Sequence, residues 1–157
     1  MVGLIRALGT EIRTAVENYK LASDGHEPKK ISVYEQFIPR AHLDDPRGQF
    51  HPLIAVQCAS VSDEIEGTAA EMTLTFGVYD ESRIEQDGRL NEPWVDLLNL
   101  METVRLRLLS KPVIGGRYRL IKPLETEIAE VQPAPFFYGQ MTARYFIYQA
   151  QDEGRIS

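Results

Sequence analysis

The chain has a single cysteine, Cys58, in 157 residues. No internal disulfide can form, which fits a reducing compartment. No stretch approaches the roughly 20 apolar residues of a membrane span. The opening "MVGLIRALGTEIRTAVENY" mixes acids and bases every few residues and lacks the apolar core of a signal peptide. A soluble protein made in the cytosol is expected. Phosphate-cradling glycines are missing too. Gly115-Gly116 has no following Lys-Ser/Thr and reads as a tight turn. No serine sits in a Gly-x-Ser-x-Gly elbow. Positive charge is in short supply, with 17 Lys and Arg against 23 Asp and Glu. Phosphate binding against that balance needs a concentrated basic patch. The candidates are Lys29-Lys30 and the loose group Arg105, Arg107, Lys111, Arg117 and Arg119; the plainer reading is a solvated helix face and strand. An acidic average instead suits a wall that repels DNA and keeps it from sticking.

What is present is ordinary globular composition, 43% hydrophobic and 25% charged, so neither disorder nor a fibrous repeat is indicated. The length predicts one domain over residues 1–150, with "QDEGRIS" at 151–157 as a loose tail.

Leu4, Leu8, Ile12 and Val16 recur every four residues and predict an amphipathic helix over about 2–20. Arg6, Glu11, Arg13 and Glu17 are assigned to its outer face. "SDGHEPKK" ends it. "ISVYEQFIP" reads as a strand with Ile31, Val33 and Phe37 on one side. A long polar loop follows over 40–52. "LIAVQCASV" is a nearly continuous apolar run, read as a central strand buried on both faces. "SDEIEG" reads as a turn. "AEMTLTFGVYDE" alternates Met72, Leu74, Phe76 and Val78 with Thr73, Thr75, Gly77 and Tyr79, the clearest strand pattern in the chain.

After a loop at 82–91, Asn91 can cap a helix that carries Trp94, Leu97, Leu98, Met101, Val104 and Leu108 and stops at Pro112. Two short strands separated by Pro123 and a last strand, "YGQMTARYFIYQ", complete the order. Clustered strands between two helices predict an α+β fold: one mostly antiparallel sheet with two long helices packed on one face.

Candidate chemistry is sparse. His42, Asp44, Asp45 and His51 share the long loop and could approach a metal, but their spacing matches no zinc pattern. They read more simply as polar loop residues. Cys58 sits in an apolar strand and reads as a core residue. Asp63, Glu64 and Glu66 read as a solvated turn, short of the ligands calcium needs. No catalytic, cofactor-binding or metal residue is expected, and no enzymatic activity. One segment stands out: "QPAPFFYG", residues 132–139, a proline-broken aromatic turn before the last strand. Phe136 and Phe137 could plug one end of the core. They could equally meet another subunit, since aromatic residues are favoured in interface centres.

From Thr73 to about Tyr148 the sequence resembles the head–tail joining and tail-terminator proteins of long-tailed phages and prophages. The resemblance rests on a strand ending in Tyr79-Asp80 and a helix with Asp96, Asn99 and Glu102 followed by Arg105. It continues through the turn Gln132, Pro133, Pro135, Phe137, Tyr138 and Gly139. It implies a small structural subunit without a cofactor that forms a ring, typically a hexamer, at the head-proximal end of the tail. The implied partners are further copies of the chain, the tail-tube protein and the head connector, within a virion. DNA would pass through without specific binding, and no membrane is involved. Pro133, Pro135, Phe136, Phe137, Tyr138, Arg105 and Arg117 are the candidate interface residues. A tail-tube or other minor tail subunit is the alternative, followed by a small metal- or ligand-binding protein using His42, Asp44, Asp45 and His51.

Overall fold

The computed structural model describes residues 1–17, 19, 30–43, 47–80, 92–130, 132–133 and 135–148. The predicted turn residues 23–29, Asp44 and Asp45, the 82–91 loop with its Asn91 cap, and the C-terminal tail lie outside the described residues.

The chain begins with helix α1, Val2–Val16. Leu4, Leu8 and Ile12 are fully buried, as the four-residue spacing requires. Strand β1, Ser32–Glu35, leads through a crossover containing the single-turn α2, Arg40–Leu43. Then come β2, Leu53–Glu64, and β3, Gly67–Tyr79. Helix α3, Glu92–Ser110, precedes the two-residue β4, Val113–Ile114. The last strands are β5, Tyr118–Ile128, and β6, Phe136–Tyr148. All six strands form one sheet in the order β1-β2-β3-β6-β5-β4.

The expected fold class is corrected by this architecture. The sheet is a mixed half-barrel, because β1 pairs with β2 in parallel (Ser32 opposite Leu53, Glu35 opposite Val56). Among the described residues strand outweighs helix, 46% to 30%, and the helices are short, not the two long ones expected. Three local causes account for the difference. The crossover at 36–52 returns the chain to the end where β1 began, and that forces a parallel pair. The expected turn at 62–67 is strand, since β2 and β3 stay paired to Glu64 opposite Gly67 and turn only at Ile65-Glu66. Pro123 does not split β5. The ladder to β6 skips from Ile121–Arg144 to Glu125–Thr142, a bulge that absorbs the missing N–H within one strand.

The core lies between the sheet and the helices. Ala70, Met72, Leu74, Phe76 and Val78 of β3 share it with Phe137, Met141, Ala143 and Tyr145 of β6. Leu97, Leu100, Met101, Val104 and Leu108 cover them from α3. Gly139 lets α3 approach, since a Cβ there would lie 2.5 Å from the Met101 sulfur. Cys58 is half-buried at the margin of this core and not inside it.

Leu53, Ile54, Ala55 and Val56 are all buried. Ile54 and Val56 belong to the core cluster, while Leu53 and Ala55, opposite Gly77 and Thr75, are buried on the outer side. The apolar run is thus buried on both faces only over its first four residues. From Ala59 to Glu64 the same strand is exposed. Phe37, expected on the inner side of a longer β1, is 71% exposed beyond the strand end.

Glu11 also departs from its expected outer position. It is buried on α1 and binds two cations, Arg107 in the last turn of α3 and Lys111 just past its end. Lys111 Nζ donates to Oε1 at 2.6 Å, and Arg107 Nε donates to Oε2 at 3.0 Å. Burial alone would raise this carboxyl. The hydrogen bonds and charges of Lys111 and Arg107 overcome it and hold Glu11 below the usual carboxylate range.

Candidate functional site

The aromatic turn is divided by the period-two alternation of β6. Phe137 points into the core, 1% exposed, with Trp94 edge-on at 5.6 Å between ring centres. Phe136 and Tyr138 point to the outer side, both half-buried, with rings nearly parallel 6.2 Å apart. Tyr79 lies edge-on to Phe136 at 5.1 Å. Pro135 is half-buried, and its carbonyl accepts the Asp80 N–H at 2.9 Å; Pro133 is exposed, and its carbonyl accepts the Phe136 N–H at 3.0 Å. The turn is thereby tied to the start of β6 and to the residue that follows β3.

His51 completes the outer cluster. It is 2% exposed, 5.0 Å from the Phe136 ring, and its Nε2 lies 3.1 Å from the Tyr138 hydroxyl. Gly77 makes room for this packing. A Cβ there would meet the Tyr138 ring at 2.7 Å and the His51 ring at 3.1 Å. A glycine inside an otherwise apolar strand was the sequence signal for such a close approach. His42 is engaged elsewhere, stacked on Phe50 at 3.8 Å with Nδ1 2.7 Å from the Tyr34 hydroxyl. His42 and His51 thus each pair with a tyrosine of their own. Among the described residues no group of three His, Cys, Asp or Glu is placed to hold a metal.

The Asp-x-x-Asn-x-x-Glu pattern is spread around α3. Asp96 is 1% exposed, while Asn99 and Glu102 face solvent. Burial, followed by the charge of Asp96, pushes the Tyr19 hydroxyl up to about 12. Arg105 forms a two-pronged pair with Glu102, at 2.8 and 2.7 Å. That pair, led by the hydrogen bonds, lowers the Glu102 carboxyl and raises the arginine. Arg117 is exposed at the β4–β5 turn, with its guanidinium carbon 5.4 Å from the Tyr118 ring centre.

The seven candidate interface residues therefore do not converge on one patch. Pro133, Pro135, Phe136 and Tyr138 gather at one end of the sheet, and Phe137 is in the core. Arg105 stands on α3. Arg117 is at the opposite end of the sheet, because Arg119 pairs with Phe146, ten residues along β6 from Phe136. At about 3.3 Å per residue that is roughly 30 Å along the strand. Beside the aromatic end, Thr75, Glu127, Ala129, Tyr138, Gly139 and Gln140 line an open hollow of about 410 Å³.

No family model matches this chain, and no curated protein matches it. Among solved structures it is similar to a chain in the "Virion of native gene transfer agent (GTA) particle", with a TM-score of 0.52 and 12% identity. The match covers 93% of this chain and 95% of that one. At this identity the likeness is one of fold, and it extends over nearly the whole of both chains.

Proposed function

We propose that the chain is a structural protein of a phage-like virion, closing a ring at the head-proximal end of the tail as a tail terminator or head–tail joining protein. The observation that carries this reading is the fold likeness to a gene transfer agent virion chain across 93% of this one. A match of that extent makes the half-barrel the unit of comparison, not a shared fragment. The sequence resemblance from Thr73 to Tyr148 supports the same role. In this reading the partners are further copies of the chain, in a ring of about six, together with the tail-tube protein and the head connector. DNA passes through without specific binding, and the protein needs no cofactor and catalyses no reaction.

The test is mass in solution by light scattering over a wide concentration range, with negative-stain images of the same samples. Closed rings of constant size are the expected outcome. Tubes that lengthen with concentration would replace the terminator with a tail-tube subunit. A strict monomer at every concentration would overturn self-assembly as a property of this chain.

A further inference from the structure

The two edges of the sheet carry opposite charge at the same level. One row of pairing crosses the sheet through Ser62, Ala69, Phe146 and Arg119 and ends at Val113 of the two-residue β4. At the β2 end of that row, the hairpin carries Asp63, Glu64 and Glu66 around Ile65, which is 99% exposed. Beside β4 at the other end stand Arg117 in the β4–β5 turn and Arg119 and Lys122 of β5, all with exposed side chains. None of these three cations has a carboxylate partner among the described residues. The acids are also weakly engaged. Asp63 accepts from Thr68 at 3.0 Å, and Glu64 lies 3.8 Å from Arg144. Among the described residues nothing pairs with the outer backbone edge of the hairpin, since β1 pairs only with Leu53–Val56 of β2.

We infer that this acidic hairpin docks on the Arg117–Arg119–Lys122 edge of a second copy of the same chain. A two-fold dimer would set like against like. Opposite charges at one level on opposite edges suit a head-to-tail contact, which repeats by rotation and closes into a ring. Ile65 supplies the apolar contact at the centre of the acids, and the cations flank it. The inference rests on the proposed ring and adds its contact, which sequence reasoning placed at the aromatic turn.

The experiment is charge reversal and swap. Arg117→Glu with Arg119→Glu, and separately Asp63→Lys with Glu64→Lys, are each expected to raise the concentration needed for rings at least tenfold. Their melting temperatures should match the unmodified protein, since all four side chains are solvent-facing. Combining the four substitutions is expected to restore rings. The unmodified protein gives a second measurement, because exposed pairs are screened by salt: assembly should weaken from about 0.05 to about 0.5 M salt. Reversal variants that assemble normally, a folded four-fold swap that stays dissociated, or assembly that strengthens with salt would overturn this contact while leaving the ring standing. An unmodified chain that never assembles would overturn the ring and the contact together.

Discussion

The side-chain amide of Gln132 stands in for a strand beside Tyr138. Its Oε1 accepts the Tyr138 N–H at 2.8 Å, and its Nε2 donates to the Tyr138 carbonyl at 2.9 Å. The β5 ladder ends with Ile128 opposite Gly139, so this amide fills the next place along β6. The same Nε2 donates to the Ala129 carbonyl at 2.9 Å, which closes the loop between the strands. Gln132→Ala leaves both backbone groups of a half-buried residue unpaired. The expected loss is about 1–3 kcal/mol of unfolding free energy in a denaturant titration. A loss near zero would mean that water replaces the amide without cost.

Phe136 and Phe137 are adjacent but face opposite sides of the sheet. Phe137→Ala opens a hole under Trp94, and large-to-small changes of this kind cost about 3–5 kcal/mol. Phe136→Ala uncovers only half-buried surface beside Tyr79 and His51 and should cost less than half as much. Paired denaturation curves decide this, and equal losses would contradict the assigned faces.

Glu11 links stability to pH. Its carboxyl lies below the ordinary value of 4.5 in the folded chain, held there by Lys111 and Arg107 against the effect of burial. A depressed carboxyl stabilises the fold above its unfolded value, and that contribution is lost as pH falls through the folded one. Glu11→Gln is expected to cost about 1–2 kcal/mol at pH 7, a modest figure because both cations are partly solvated. The gap between the two proteins should narrow below about pH 4.5. A gap that stays constant down to pH 2 would show that packing, not charge, is lost in the variant.

Tyr145 is fully buried, and its hydroxyl has no hydrogen-bond partner among the described residues. Burial, followed by the nearby charge of Glu11, raises this hydroxyl above the usual tyrosine range. An unsatisfied buried hydroxyl costs on the order of 1–3 kcal/mol, so Tyr145→Phe should be neutral or stabilising. Thermal melts test this, and a clear loss of stability would reveal an ordered water or other partner at the hydroxyl.

The sequence patterns located what depends on local period. Leu4, Leu8, Ile12 and Val16 marked the buried stripe of α1, and the alternation from Met72 to Val78 marked β3 and its core face. They did not locate what depends on partners far along the chain. Nothing between Ser32 and Val56 announces a parallel pair, because its register is set by the crossover and not by either strand. Ser62 to Gly67 reads as a turn by composition, yet pairing with β6 holds β3 extended to its first residue. Glu11 looked solvent-facing because its two cations lie 96 and 100 residues away. For the candidate interface, composition identified the aromatic turn but not the alternation that divides it. The acidic hairpin and the basic edge become a pair only once the order of strands is known.

Strand β2 is paired on both sides at its root and, among the described residues, on one side only at its tip. Leu53 to Val56 lie under side chains on both faces, whereas Ala59 to Glu64 project like a cantilever with one neighbour and water around the rest. Backbone amides along this single strand should therefore exchange with solvent at very different rates, slowly at the root and quickly toward the tip. A neighbour seated on the tip would even out that gradient. The slowing of amide exchange across Ala59 to Glu64 would then read out, residue by residue, how much of the strand's rigidity is supplied from outside the chain.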